Sequence, residues 1–278
     1  MHELRQQFSI ACLLKLAGLA RSTFYYQQKS LQAVDKYEQL KRQIRTLFND
    51  HKGRYGYRRI TAALRQLGQQ VNHKTVQRLM GTLGLKSLVR PKKYRSFKGE
   101  VGQAAPNVLQ RRFKANTANQ KWVTDVTEFH VAGEKLYLSP VLDLYNGEII
   151  AFETSKRPAF ELVNAMLNKA LAKLGPGDRP MLHSDQGWQY RMPAYQRQLR
   201  ERQLVQSMSR KGNCLDNAAM ESFFAVLKSE FFYLNRFGSI DALRDGLADY
   251  IHYYNHDRIK LKLKGLSPVQ YRTQALAA

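Results

Sequence analysis

Acidic side chains are scarce in this chain: 22 Asp and Glu stand against 45 Lys and Arg over 278 residues, a formal net charge of +23. Cysteine is scarcer still, with only Cys12 and Cys214. The two make neither a metal-ligand spacing nor a disulfide framework, which suits a reducing cytoplasm. No stretch approaches the ~18 consecutive apolar residues of a membrane span, and the N-terminus lacks a signal-peptide layout. The apolar run from Ala11 to Leu19 is interrupted by Lys15 and Gly18, so it reads as a short buried helix. No membrane partner is expected. There is no GxxxxGK[ST] loop, so ATP use is not implied, and the seven histidines suggest no zinc chemistry.

What is present is positive charge, unevenly spread. Residues 1–115 carry 24 Lys and Arg against 5 Asp and Glu, whereas residues 116–278 carry 21 against 17. The front part is therefore the expected polyanion-binding part, and the back part has the balance of an ordinary globular domain. An apolar content of 44% argues for a folded chain.

Two helical units are legible in the front part. In residues 1–35, Ile10, Leu13, Leu14 and Ala17 recur at helical spacing, Gly18 turns the chain, and Ser22 is expected to cap a second helix through Phe24 and Tyr25. In residues 36–85, Ile60, Ala63, Leu64 and Leu67 make one apolar face before Gly68. Asn72 then caps a helix carrying Val76, Leu79, Met80 and Leu83. Both units have a helix-turn-helix pattern. The second carries Arg58, Arg59, Lys74, Gln77 and Arg78 away from its apolar faces, the donor types a helix needs in a major groove. A solvated basic face on a small bundle is the plainer reading. Residues 86–115 read as a basic linker suited to tracking phosphates.

From residue 116 the pattern becomes mixed α/β. Strands are expected at 121–129, 135–144, 148–154, 180–184 and 203–207, with helices over 160–174, 193–202, 217–233 and 239–254. Three hairpin-connected strands followed by helix–strand alternation is the order of a ribonuclease H-like mixed five-stranded sheet. The expected fold is that α/β core with a C-terminal helical extension over 116–278, preceded by small all-α helix-turn-helix domains.

Asp125 lies in the strand-like Trp122–Phe129, Asp185 follows the apolar run at Met181–Ser184, and Glu221 sits on a helix-patterned stretch with 35 residues between it and Asp185. Taken singly, an Asp at a strand end is most often a cap, and a helical Glu is most often a surface residue. Together they are set out like ligands of a two-metal phosphoryl-transfer site, since Mg²⁺ prefers carboxylate oxygen and paired ions serve both attacking and leaving oxygens. Asp143 and Glu128 are rival acids, but alternation puts Glu128 on the opposite sheet face from Asp125. Asn217, four residues before Glu221, and Lys228, seven after it, share its helix stripe and are expected to grip DNA. Arg210 and Lys211 belong to a 208–216 loop expected to close over it.

The chain resembles insertion-sequence transposases encoded in two overlapping frames, specifically the downstream-frame product with a retroviral-integrase-like core. The resemblance rests on Gly53–Ile60, Trp122–Thr127, His183–Gly187, Ser209–Ala218, Glu221–Phe224, and Tyr254-Asn255 with Arg258 through Pro268. It implies that Asp125, Asp185 and Glu221 form the family's acidic triad, with Lys228 at its downstream basic position. It implies two Mg²⁺ or Mn²⁺ ions per site, cleavage to free a 3′-hydroxyl at the element's end, joining of ends into a circle, and integration. It further implies action on terminal repeats and target DNA by at least a dimer, an upstream-frame product as partner or fusion, and a place on the bacterial nucleoid. The competing readings are a catalytically silent regulator of transposition and a structure-specific nuclease of the same fold.

Overall fold

The computed structural model describes residues 3–32, 35–88, 105–210 and 214–277. The chain divides into two compact units, Met1–Thr46 and Leu47–Ala278. Arg90, Lys92, Lys93, Arg95 and Lys98 of the expected linker, and Lys211 of the expected DNA loop, lie outside the described residues.

In the first unit, α1 (Ile10–Ala17) is capped by the Ser9 hydroxyl, which accepts the Cys12 N–H, and ends on Gly18 at φ +64°, a left-handed turn that glycine adopts without strain. The second helix, α2 (Arg21–Gln32), begins before Ser22, so Ser22 lies within its first turn instead of capping it. Next comes α3 (Glu38–Asp50), a helix absent from the sequence-based expectation although Leu40, Ile44, Leu47 and Phe48 share one face.

The second unit begins at Leu47, within α3, and continues with α4 (Tyr57–Gln66) and α5 (His73–Thr82). Asn72 caps α5 as expected, accepting the Lys74 N–H at 2.9 Å. Ile60, Ala63, Leu64, Val76, Leu79 and Met80 are buried between them, whereas Leu67 is 61% exposed and outside that core. On the far side Arg58, Lys74, Gln77 and Arg78 are exposed.

The sheet has six strands: β1 (Lys121–Thr124), β2 (Thr127–Val131), β3 (Glu134–Asp143), β4 (Ile149–Ser155), β5 (Met181–Ser184) and β6 (Gln206–Met208). Five were expected. The extra one arises because the expected 121–129 strand is broken at Asp125–Val126. Its halves pair with different parts of the same neighbour, β1 with Val141–Asp143 and β2 with Glu134–Leu138. At the break the Asp125 carboxylate accepts the Val126 N–H at 2.7 Å, a local bond that replaces a ladder bond. β1 then sits centrally, antiparallel to β3 and parallel to β5, which is parallel to β6.

Helices cover both faces. Trp122, Val141, Ile150 and Leu182 pack with α6 (Phe160–Leu171) and α7 (Pro193–Glu201) on one side. Val123, Phe129, Leu138 and Leu142 pack with α8 (Ala218–Glu230) and α9 (Ile240–His256) on the other. Adjacent Trp122 and Val123 feeding opposite cores is the two-residue strand period. The chain closes with α10 (Pro268–Ala277). Among the described residues no helix is long and apolar enough to cross a membrane.

Candidate active site

Parallel pairing of β1 with β5 brings their C-terminal ends side by side, and an aspartate follows each end: Asp125 after Thr124, Asp185 after Ser184. Each carboxylate accepts one backbone N–H through Oδ1, Asp125 from Val126 at 2.7 Å and Asp185 from Gly187 at 2.8 Å. A Cβ at position 187 would stand 2.9 Å from the Asp185 oxygen, so a side chain there would push the carboxylate aside.

Burial raises the Asp125 pKa well above the carboxylate norm. The negative charges of Asp185 and Glu221 add to the rise, while the Val126 N–H and the Lys228 charge offset part of it. Asp185 is raised chiefly by burial, against the Gly187 N–H and the Arg191 charge. Two carboxylates that resist ionising side by side are an electrostatic demand for a cation.

Glu221 lies in the first turn of α8, half-buried. The N-terminal end of that helix is tied to β1: Asn217 Nδ2 donates to the Thr124 carbonyl at 3.1 Å, one residue before Asp125. Asn217 is 4% exposed, and its Oδ1 is buried without a hydrogen-bond partner. Its amide is thus buried against the end of β1, not at the surface where a DNA grip was expected. Lys228 stands over the Phe129 ring, 5.1 Å from its centroid, near enough for its charge to be felt at Asp125. Among the described residues no three His, Cys, Asp or Glu side chains are close enough to hold one ion.

The rival acids are occupied elsewhere. Asp143 is buried, accepts the Asn119 and Tyr145 N–H groups at 2.8 and 2.9 Å, and pairs with Arg272. Glu128 pairs with His130 at 2.6 Å and Lys135 at 3.1 Å near the surface.

A polar network supports the β5 end. Ser207 Oγ accepts the Val108 and Leu109 N–H groups, both at 3.0 Å, so its hydroxyl hydrogen goes to His183 Nδ1 at 2.8 Å. The proton of that imidazole therefore sits on Nε2, which donates to Ser209 Oγ at 3.1 Å. Burial pushes the His183 pKa down to about 4 despite the charge of Asp216. Asp216, fully buried just before α8, accepts from Arg210 through its side chain and backbone, from Arg111 at 2.8 Å, and from Asn107 at 2.9 Å. Arg210 therefore anchors this turn while its side chain stays 61% exposed.

Arg59 points inward to Glu230 at 3.1 Å, unlike its exposed neighbour Arg58. The histidines, from which no HxxxH metal set was expected, do include that spacing at His252 and His256. Their exposed rings stack 4.4 Å apart on α9.

Residues 115–214 and 221–276 each match an integrase core domain family, and residues 36–93 match an HTH-like domain. The chain is 57% identical over 274 residues to the putative transposase InsK for insertion sequence element IS150 of Escherichia coli, covering 99% of this chain and 97% of that protein. It is 43% identical over 272 residues to the probable transposase for insertion sequence element IS1353 of Shigella flexneri, covering 97% of this chain and 53% of that protein. To the transposase InsF for insertion sequence IS3A of Escherichia coli it is 33% identical over 280 residues, 98% of this chain and 96% of that protein.

Proposed function

Because the chain belongs to the insertion-sequence transposases with an integrase core domain, which are DNA polynucleotidyl transferases, we propose that Asp125, Asp185 and Glu221 hold two Mg²⁺ or Mn²⁺ ions for strand cleavage and joining at the element's ends. One observation carries this reading. Two aspartates stand at adjacent strand ends in a half-buried site, and the charges of Asp185 and of a third acid, Glu221, both reach Asp125.

The donor set suits such ions, since it consists of hard carboxylate oxygens beside a central strand, only partly offset by the charges of Lys228 and Arg191. When bound, the ions supply charge neutralisation at the scissile phosphate and lower the pKa of the attacking oxygen. Asp125 would hold the central place between Asp185 and Glu221, since the charges of both act on it. In cleavage, water oxygen attacks phosphorus and the bond to the 3′ oxygen breaks, that oxygen leaving as a hydroxyl. In joining, this 3′-hydroxyl loses its proton and attacks a second phosphorus, which expels another 3′ oxygen.

The Lys228 ammonium steadies a phosphate beside the acids. Arg58, Lys74, Gln77 and Arg78 face DNA from α4 and α5 of a reading domain over 36–85, while the 86–115 segment, Arg210 and Lys211 follow the backbone. Bringing two ends together requires at least two protomers. An upstream-frame product, separate or fused, completes the assembly on the bacterial nucleoid.

The test is a joining assay with terminal-repeat DNA and Mg²⁺. Asp125→Asn, Asp185→Asn and Glu221→Gln should each abolish joining and leave DNA binding within about twofold. Joining by any of them overturns the assignment of that residue, and wild-type cutting without joining identifies a nuclease.

A further inference from the structure

The end of α8 opposite Glu221 is held by an unusual gathering of cations. Glu230, the last residue of the helix, is 3% exposed. Arg258 donates to both of its oxygens at 2.7 Å, the Tyr250 hydroxyl donates to Oε2 at 3.1 Å, and Arg59 reaches Oε1 at 3.1 Å. Arg54 donates to the Glu230 backbone carbonyl at 3.1 Å and lies over the Tyr253 ring. Cations at a helix C-terminus also suit its dipole.

The charge balance singles out Arg59. Bidentate Arg258 and the Tyr250 hydroxyl already satisfy a buried carboxylate, so Glu230 does not need a second guanidinium to stay buried. What the Arg59 bond adds is a tie between α4 and α8. Arg58, the preceding residue, is exposed on the face given above to DNA, so adjacent residues of one helix look toward DNA and toward the catalytic helix. Tyr55 fastens the same segment, donating to the Asp257 carbonyl at 3.1 Å and accepting the Ile259 N–H at 2.7 Å.

We propose that Arg59 is a positioning residue for strand transfer: through Glu230 it couples the α4–α5 reading face to the axial placement of Glu221. Nine residues of rigid helix, roughly 14 Å, separate Glu230 from Glu221. With Asn217 holding the front of α8 and Arg59 and Arg258 its back, DNA seated on α4 sets where the Glu221 carboxylate falls. Displacements on the order of 1 Å at such a site are costly to rate. The inference rests on the reading of Glu221 as a metal ligand.

The test compares Arg59→Gln, Arg59→Lys and Arg58→Gln in the full chain with terminal-repeat DNA. For each, the Mg²⁺ concentration at half-maximal joining, the Kd for DNA and the melting temperature are measured. Arg59→Gln should raise the Mg²⁺ midpoint at least fivefold with Kd within about twofold, and Arg59→Lys should fall between it and the wild type. Arg58→Gln should weaken Kd at an unchanged Mg²⁺ midpoint. An unchanged midpoint in Arg59→Gln, or a weakened Kd alone, overturns the proposal. If Arg59→Gln does not fold, Arg59→Lys is read alone: a raised midpoint supports coupling and an unchanged one overturns it. Glu221→Gln tells the two failures apart, since joining by that variant sinks the underlying reading, whereas a dead Glu221→Gln beside a normal Arg59→Gln sinks only the coupling.

Discussion

The Asn217 side chain donates to the carbonyl of Thr124, and this bond links the start of α8 to the strand end that presents Asp125. Two of the three acids are thereby tied through a single amide. Asn217→Ala is expected to lower the joining rate by about 10–100-fold, the usual effect of losing a partner that orients ligating groups. The stability cost is about 1 kcal/mol, that of one hydrogen bond. Single-turnover joining and urea denaturation on the same preparation check both halves; wild-type joining would show that the tie is dispensable.

Asp125→Asn and Asp185→Asn are expected to stabilise the metal-free protein while destroying joining. Both folded-state pKa values are raised, so the pair's stability is greatest at low pH and is lost as pH rises through the folded pKa. Neutralising one partner should therefore raise the melting temperature at pH 7–8, by about 1 kcal/mol of stability, a common trade at functional sites. The gain should shrink toward pH 4. A melting temperature lowered at pH 8 in both variants contradicts the repulsion.

His183 gives the opposite slope. Its folded pKa of about 4 lies below the unfolded 6.5, so the imidazole must stay neutral to fit between Ser207 and Ser209. That preference is fully present above pH 6.5 and is lost as pH falls toward 4, an effect of about 3 kcal/mol. The difference in stability between wild type and His183→Gln should change by that order between pH 7.5 and 4.5. A difference independent of pH would mean the imidazole charges without penalty.

Removing Glu230 leaves Arg258, itself buried, without its counter-charge. Glu230→Ala is expected to cost about 3–5 kcal/mol, as breaking a buried pair does. Arg59→Ala, whose partner keeps Arg258, should cost much less. Chemical denaturation of both distinguishes a central from a peripheral bond, and equal costs would make Arg59 as integral as Arg258.

Much of the core was readable because strand and helix periods differ. Trp122 and Val123 alternate between the two cores, and the runs at β3, β4 and β5 fall within two residues of their expected bounds. The break at Asp125 was hidden because Thr127, Phe129 and Val131 resume an alternation that looks continuous with β1; a side-chain bond to the next N–H leaves no periodic trace. The inward turn of Arg59 was hidden for a different reason. Counting cations treats Arg58 and Arg59 alike, and only folding reveals that one of them meets a carboxylate 171 residues away. The α3 face was present in the sequence and passed over, and the His252–His256 spacing stands where no HxxxH set was expected.

The most direct measurement is Mn²⁺ binding to the full chain with terminal-repeat DNA, followed by electron paramagnetic resonance at pH 7.5. The account predicts two ions bound per protomer in the wild type, and loss of at least one in each of Asp125→Asn, Asp185→Asn and Glu221→Gln. Wild-type occupancy retained in all three variants would contradict it.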